Sequence, residues 1–171
     1  MKKSLSVFLI ILLIGLLIPQ KFVMPVFGAS SADYNQETFW FHPWGSSGTH
    51  KGVDIFADEG TELLSSTHGF VLARGTISKG GNFVLILGPK WRLHYYAHLN
   101  SISVPLFKRV HPKSIIGEVG NTGNAQGKEP HVHYSIFTLV PYLWNIDTSP
   151  QGWEKMFYLN PIPFLNRTFT S

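Results

Sequence analysis

Beyond residue 48 the chain reads as short apolar runs rich in β-branched and aromatic residues, each bounded by a glycine-bearing turn. Runs at 69–77, 82–87, 93–98, 115–119 and 131–139 have strand length, and nothing past the first 29 residues combines helical periodicity with caps over three turns. The pattern predicts a mostly β, compact antiparallel domain over 49–140 and argues against parallel βαβ architecture. Ahead of it, residues 30–48 alternate polar with aromatic positions and close on Gly45-Ser46-Ser47-Gly48, a lead-in ending in a flexible loop. Behind it, residues 141–171 carry Trp144, Trp153, Phe157, Tyr158 and Phe164 among prolines. This predicts an aromatic tail packed on the domain, with a short helix over 152–158.

The first 29 residues follow another pattern. Lys2 and Lys3 precede an uncharged apolar run over 5–18, followed by Pro19, Gln20 and Lys21 and a second apolar patch up to Ala29. A run of this length suits a signal-peptide core of about 7–15 residues better than a membrane span of about 20. Residues 1–29 are therefore expected to be a signal peptide, with cleavage after Gly28, Ser30 or Ala32, or else a retained inner-membrane anchor. Either way the remainder is expected to be exported, to the periplasm or cell envelope, or secreted.

Composition narrows the chemistry. The chain has 171 residues, 44% hydrophobic and 14% charged, with 16 Gly, 11 Pro and no Cys, which excludes a disordered tail, a coiled coil or a collagen-like repeat. Without Cys, thiolate zinc sites and Fe–S clusters are out of reach, so a metal must be held by His nitrogen and carboxylate oxygen. The formal charge of +4 points toward nucleic acid until Lys2, Lys3 and Lys21 are set apart; 14 basic residues less these 3 leave 11 against 10 acidic ones, or +1. With no basic stripe interleaved with aromatics, a nucleic-acid partner is not expected. A monomer is.

Several histidines could carry chemistry. His50 and Asp54 lie four apart; in a straight strand they would stand about 13 Å from each other, so a bend at Gly52 is needed to bring both to one ion. His131 and His133 share one face of a predicted strand, about 6.6 Å apart, and spacing leaves open whether both or one of them binds metal. His98 ends a predicted strand, with His94 on the same face about 13 Å back by the i, i+4 relation. His42, His68 and His111 precede Pro or Gly and read as turn residues. Trp40, Trp44, Trp144 and Trp153 read as packing. Two His and one Asp would supply the three ligands of a catalytic zinc with an open fourth position, leaving two further His for proton handling.

In order along the chain stand His50-Lys51-Gly52-Val53-Asp54-Ile55-Phe56-Ala57, Gly60-Thr61, Gly81-Asn82-Phe83-Val84, Tyr96-Ala97-His98-Leu99, Ile116-Gly117 with Val119-Gly120 and Thr122-Gly123, and His131-Val132-His133. This series, over residues 50 to 137, resembles the lysostaphin-like or LytM-type zinc endopeptidases that cut peptidoglycan peptides. The resemblance implies that His50, Asp54 and His133 hold Zn²⁺ and that His98 and His131 flank it as catalytic residues. It also implies the LytM/lysostaphin antiparallel fold, with the site in a groove across the sheet. Peptidoglycan peptide is the implied substrate. A non-catalytic wall-binding or hydrolase-activating module is the alternative, and the completeness of the five residues weighs against it. Phe107 and Lys113 stand where the family has glycine, so the turns between 104 and 116 are expected to differ in shape. Lys128-Glu129 reads as an insertion.

Overall fold

The computed structural model describes residues 2–169; Met1, Thr170 and Ser171, at the ends of the predicted leader and tail, lie outside the described residues. Helix α1 (Lys2–Leu17) comes first. The strands are β1 (Val53–Phe56), β2 (Glu62–Leu64), β3 (Gly69–Ile77), β4 (Gly81–Leu87), β5 (Arg92–Leu99), β6 (Ser101–Ile102), β7 (Arg109–Val110), β8 (Ile115–Glu118), β9 (His131–Thr138) and β10 (Tyr158–Leu159). A short helix α2 (Ile162–Asn166) follows. Each predicted strand run is a strand, and the predicted helix over 152–158 is a 3₁₀ segment, Gly152–Phe157.

Among the described residues the main sheet is 7-stranded and antiparallel, in the order β1-β9-β5-β4-β3-β7. Strand β10 shares one edge of β9 with β1: β1 covers His131 to Tyr134, and β10 covers Ile136 and Phe137. A second sheet, β2-β8-β6, packs its buried Leu63 and Ile116 into the same core. Alternation explains the filling, since Val53, Ile55, Val84, Ile86, Tyr96, Val132, Tyr134 and Ile136 point to one side of the main sheet and are all fully buried.

Flanking segments complete this core. Residues 20–29, assigned above to the leader, run beside β2. Val23 N–H donates to the Ser66 carbonyl at 2.9 Å, Leu64 N–H to Pro25 at 2.6 Å and Phe27 N–H to Glu62 at 3.0 Å. Val26 is 1% exposed and bridges to Leu63; burying a side chain of this size contributes about 1.5–3 kcal/mol. Phe22 stacks on Phe164 at 4.4 Å. From the tail, Leu159, Ile162 and Leu165 are buried, whereas Trp144 and Trp153, expected to pack, are exposed. Trp40 is buried as expected.

Phe107 and Lys113 hold left-handed φ values of 60° and 69°. Both positions therefore keep the backbone conformation that glycine adopts most readily. The departure from the glycine pattern is absorbed as local backbone strain at these two residues.

Candidate metal and catalytic site

The site forms where β1, β9 and β5 lie side by side. Asp54 sits directly opposite His133 across the β1–β9 pair, and Ala97 opposite His133 across β9–β5. Gly52 allows the turn that returns His50 to Asp54: a Cβ there would stand 2.6 Å from the Tyr134 carbonyl oxygen and 2.8 Å from the His133 ring. The result is a triangle of ligand atoms. His50 Nε2 lies 3.1 Å from Asp54 Oδ1, His133 Nδ1 lies 2.8 Å from the same oxygen, and the two nitrogens are 3.1 Å apart.

Protons on these rings are set from outside the triangle. His50 Nδ1 faces both Thr38 Oγ1 at 2.6 Å and the Thr38 carbonyl at 3.2 Å; a carbonyl only accepts, so Nδ1 carries the proton and Nε2 a lone pair. Ser135 Oγ gives its proton to the Lys51 carbonyl and therefore accepts from His133 Nε2–H at 3.2 Å, which leaves Nδ1 the lone pair. Three acceptors thus converge with no donor among them. Such a cluster is repulsive unless a cation joins it, and two imidazole nitrogens with one carboxylate oxygen are a zinc donor set. The residues fit the metal.

Electrostatics agree with this arrangement. Asp54 is held well below the usual carboxylate range although burial alone would raise it, so it brings a negative charge to the triangle. His50 is 1% exposed, with the Trp44 ring stacked on it at 4.1 Å between centroids. The lead-in therefore covers one ligand, through Thr38 and Trp44. His42 is exposed.

His98 reaches the site by breaking the strand pattern. Along β5, His94 and Tyr96 point into the core, and strict alternation would send His98 after them. His98 instead has φ +67°, and the β4–β5 register shifts between Asn82 and Val84. One left-handed residue costs about 1–3 kcal/mol and here turns the ring to the opposite face. It lies 5.1 Å from the His131 ring and 6.3 Å from the His133 ring. The expectation that His94 and His98 share a face is corrected by this bulge: His94 is fully buried, hydrogen-bonded to Tyr134 Oη at 2.7 Å and Gln20 Nε2 at 2.8 Å.

His98 and His131 are pinned alike. His98 Nδ1–H donates to the Thr122 carbonyl at 2.9 Å, and His131 Nδ1–H to the Glu129 carbonyl at 2.7 Å, which leaves Nε2 of each neutral ring a base. Burial pushes His98 down to about 4, with the Thr122 bond working in the other direction. Glu129, read as part of an insertion, thus supplies the carbonyl that orients His131. Sequence reasoning missed Thr38 and Ser135, which orient the two ligand imidazoles; hydroxyl residues at such positions carry no motif.

Residues 48–143 match the family model described as Peptidase family M23. The chain belongs to peptidase family M23. It is 32% identical over 138 residues to the L-Ala–D-Glu endopeptidase of Bacillus subtilis (strain 168), covering 74% of this chain and 42% of that protein. The chain thus spans less than half the length of this relative. In fold it is similar to the catalytic domain of lysostaphin from Staphylococcus simulans, with TM-score 0.62, 24% identity, and coverage of 80% of this chain and 97% of that one. A zinc-containing peptidase from Vibrio cholerae matches with TM-score 0.55 and 28% identity over 68% of this chain and 36% of that one. The mostly β, antiparallel lysostaphin-type fold is therefore the fold of this M23 chain, as its motifs implied.

Proposed function

We propose that this M23 chain is an exported zinc endopeptidase that hydrolyses peptide cross-links of bacterial peptidoglycan. The observation that carries the reading is the triangle of three acceptor atoms from His50, Asp54 and His133, beside two further imidazoles held by backbone carbonyls. Zinc held by these three atoms would supply Lewis acidity toward a scissile carbonyl and would acidify a bound water.

The chain's own groups do the rest. Neutral His98 and His131 each present Nε2 as an acceptor, so an attacking water is oriented by both of its hydrogens. His131 Nε2 takes the proton, and the imidazolium returns it to the leaving amine nitrogen. His98 holds the water in line; its Nδ1 proton is committed to Thr122 and is not free to bind an oxyanion. His50 and His133 keep their ligand nitrogens deprotonated through Thr38 and Ser135. The Bacillus subtilis relative is named for an L-Ala–D-Glu bond, so the fragments released from peptidoglycan also show whether that bond is cut in addition to the cross-links.

The test is chromatography of the fragments released when the zinc-loaded full chain is incubated with purified peptidoglycan, beside His133→Ala. Release of cleaved peptides by the wild type alone is expected. No release by either, with wild type still pelleting with the wall, would replace this reading with a binding module.

A further inference from the structure

The end of the sheet opposite the site holds a feature the hydrolytic chemistry does not use. The β4–β5 hairpin turns through Pro89–Trp91, where Lys90 and Trp91 both have left-handed φ, 61° and 57°. Neither is glycine, so the turn is strained twice in succession. The strain places two side chains on the last turns of α1. Trp91 Nε1–H donates to the Leu12 carbonyl at 2.9 Å, and Lys90 Nζ to the Leu16 carbonyl at 2.8 Å. Gly15 lies under the Trp91 ring, where a Cβ would collide with it. The hairpin thus grips the helix near its C-terminus: Leu16 is among the last four carbonyls, which have no partner within the helix, and Leu12 lies one turn before it.

The grip is continuous with the fold. Just after α1, Gln20 donates to His94 Nε2 and accepts from Arg92 at 2.7 Å, and residues 22–29 pack along β2. Cleavage after Gly28, Ser30 or Ala32 would strip Gln20, Phe22 and Val26 out of the core.

Helix α1 itself exposes apolar side chains around its circumference, among them Leu5, Phe8, Ile11, Ile14 and Leu17. Among the described residues no helix is long and apolar enough to cross a membrane; 16 residues reach about 24 Å into a hydrocarbon core about 30 Å thick. Exposed apolar residues also surround the gripped end. Phe70 and Leu139 stand 51% and 60% exposed, and Leu139 N–H donates to the Trp91 carbonyl. Trp and Lys at the end of an apolar helix are the side chains that settle at a lipid headgroup boundary.

We propose that this end of the sheet sits on a phospholipid bilayer, with α1 retained and inserted and the Lys90–Trp91 hairpin clamping it rigidly to the catalytic fold. The site is then held at fixed height. From Arg92 to His98, β5 runs six residue steps, about 20 Å, and β9 runs beside it from Thr138 back to His133 and His131. The catalytic face points away from the lipid and reaches material at a set distance from the membrane surface.

Because the chain has no Cys, single labels are clean. Full-length Leu139→Cys and Lys128→Cys, each carrying a fluorophore, are mixed with phosphatidylethanolamine–phosphatidylglycerol vesicles whose acyl chains are brominated. Floating protein quenched at 139 and not at 128 is expected; equal quenching at both, or protein left in the vesicle-free fraction, overturns the proposal. In a Trp91→Ser background the contrast between positions should fall while flotation and hydrolysis of soluble wall peptides persist; an unchanged contrast would mean a leash in place of a clamp. Chains recovered from an envelope fraction should retain residues 20–29 by mass, and N-termini at 29, 31 or 33 would sink retention.

Discussion

Strand β5 carries a histidine toward each end, and the two live in opposite worlds. His94, near the clamped end, is fully buried in a chain of hydrogen bonds through Gln20, Tyr134 and Ser66, and burial with the nearby Arg92 and His68 charges pushes it down to about 3. His98, at the catalytic end, is turned out of the core by a single left-handed residue and faces His131 and His133. Residue type and spacing are shared. One φ angle decides which histidine stays in the core and which faces His131 and His133.

The sharpest way to break the comparison is to remove each ring. His98→Ala should cost turnover about 10²–10⁴-fold while zinc content and folding persist, as measured by metal analysis beside kinetics. Full activity in that variant would leave His131 alone at the water. At the other end the expected effect is on stability and is read by pH. The unfolded chain protonates His94 near 6.5, whereas the folded chain resists down to about 3. The unfolded state therefore binds more protons in that window, so stability is complete above it and falls on acidification, by up to about 3–5 kcal/mol. Urea unfolding across pH should show this slope, and His94→Asn should flatten it.

Smaller effects are expected where one side chain acts through another. Thr38→Val and Ser135→Ala should each weaken zinc binding about 10–100-fold in a chelator competition, with Thr38→Ser restoring it. Unchanged affinity in Thr38→Val would show that the residue 38 carbonyl, with Trp44 stacking, suffices to hold His50. The smallest change concerns strain away from both ends. Phe107 is 71% exposed at φ 60°, so Phe107→Gly loses little packing and should stabilise by about 0.5–1 kcal/mol in thermal unfolding, activity unaltered.

Much of the sheet was legible because β-branched and aromatic runs between glycine turns encode strands locally. Asp54 and His133 were legible through spaced motifs, and the structure sets them opposite each other in register. Three things were not. His98 required a backbone angle that alternation does not predict. Thr38 and Ser135 act across 12 and 2 residues of sequence through hydroxyls that look like any others. Residues 20–29 read as leader because their composition is apolar; that they pair with β2 and that Phe22 stacks on Phe164 are long-range contacts that composition does not encode.

The hold on His50 bears on how portable this catalytic unit is. Thr38 and Trp44 lie before the span that matches the family, and Gln151, which accepts from Thr49, and Glu154, paired with Lys51 at 2.8 Å, lie after it. A chain trimmed to 48–143 would keep all five motif residues and lose the side chains that aim the first of them, along with Val26, Tyr34, Leu159 and Leu165 from the core. Grafting the motif-bearing segment alone into another protein would transfer an intact signature on an underbuilt scaffold; the smallest transplantable unit runs from Gln20 to α2.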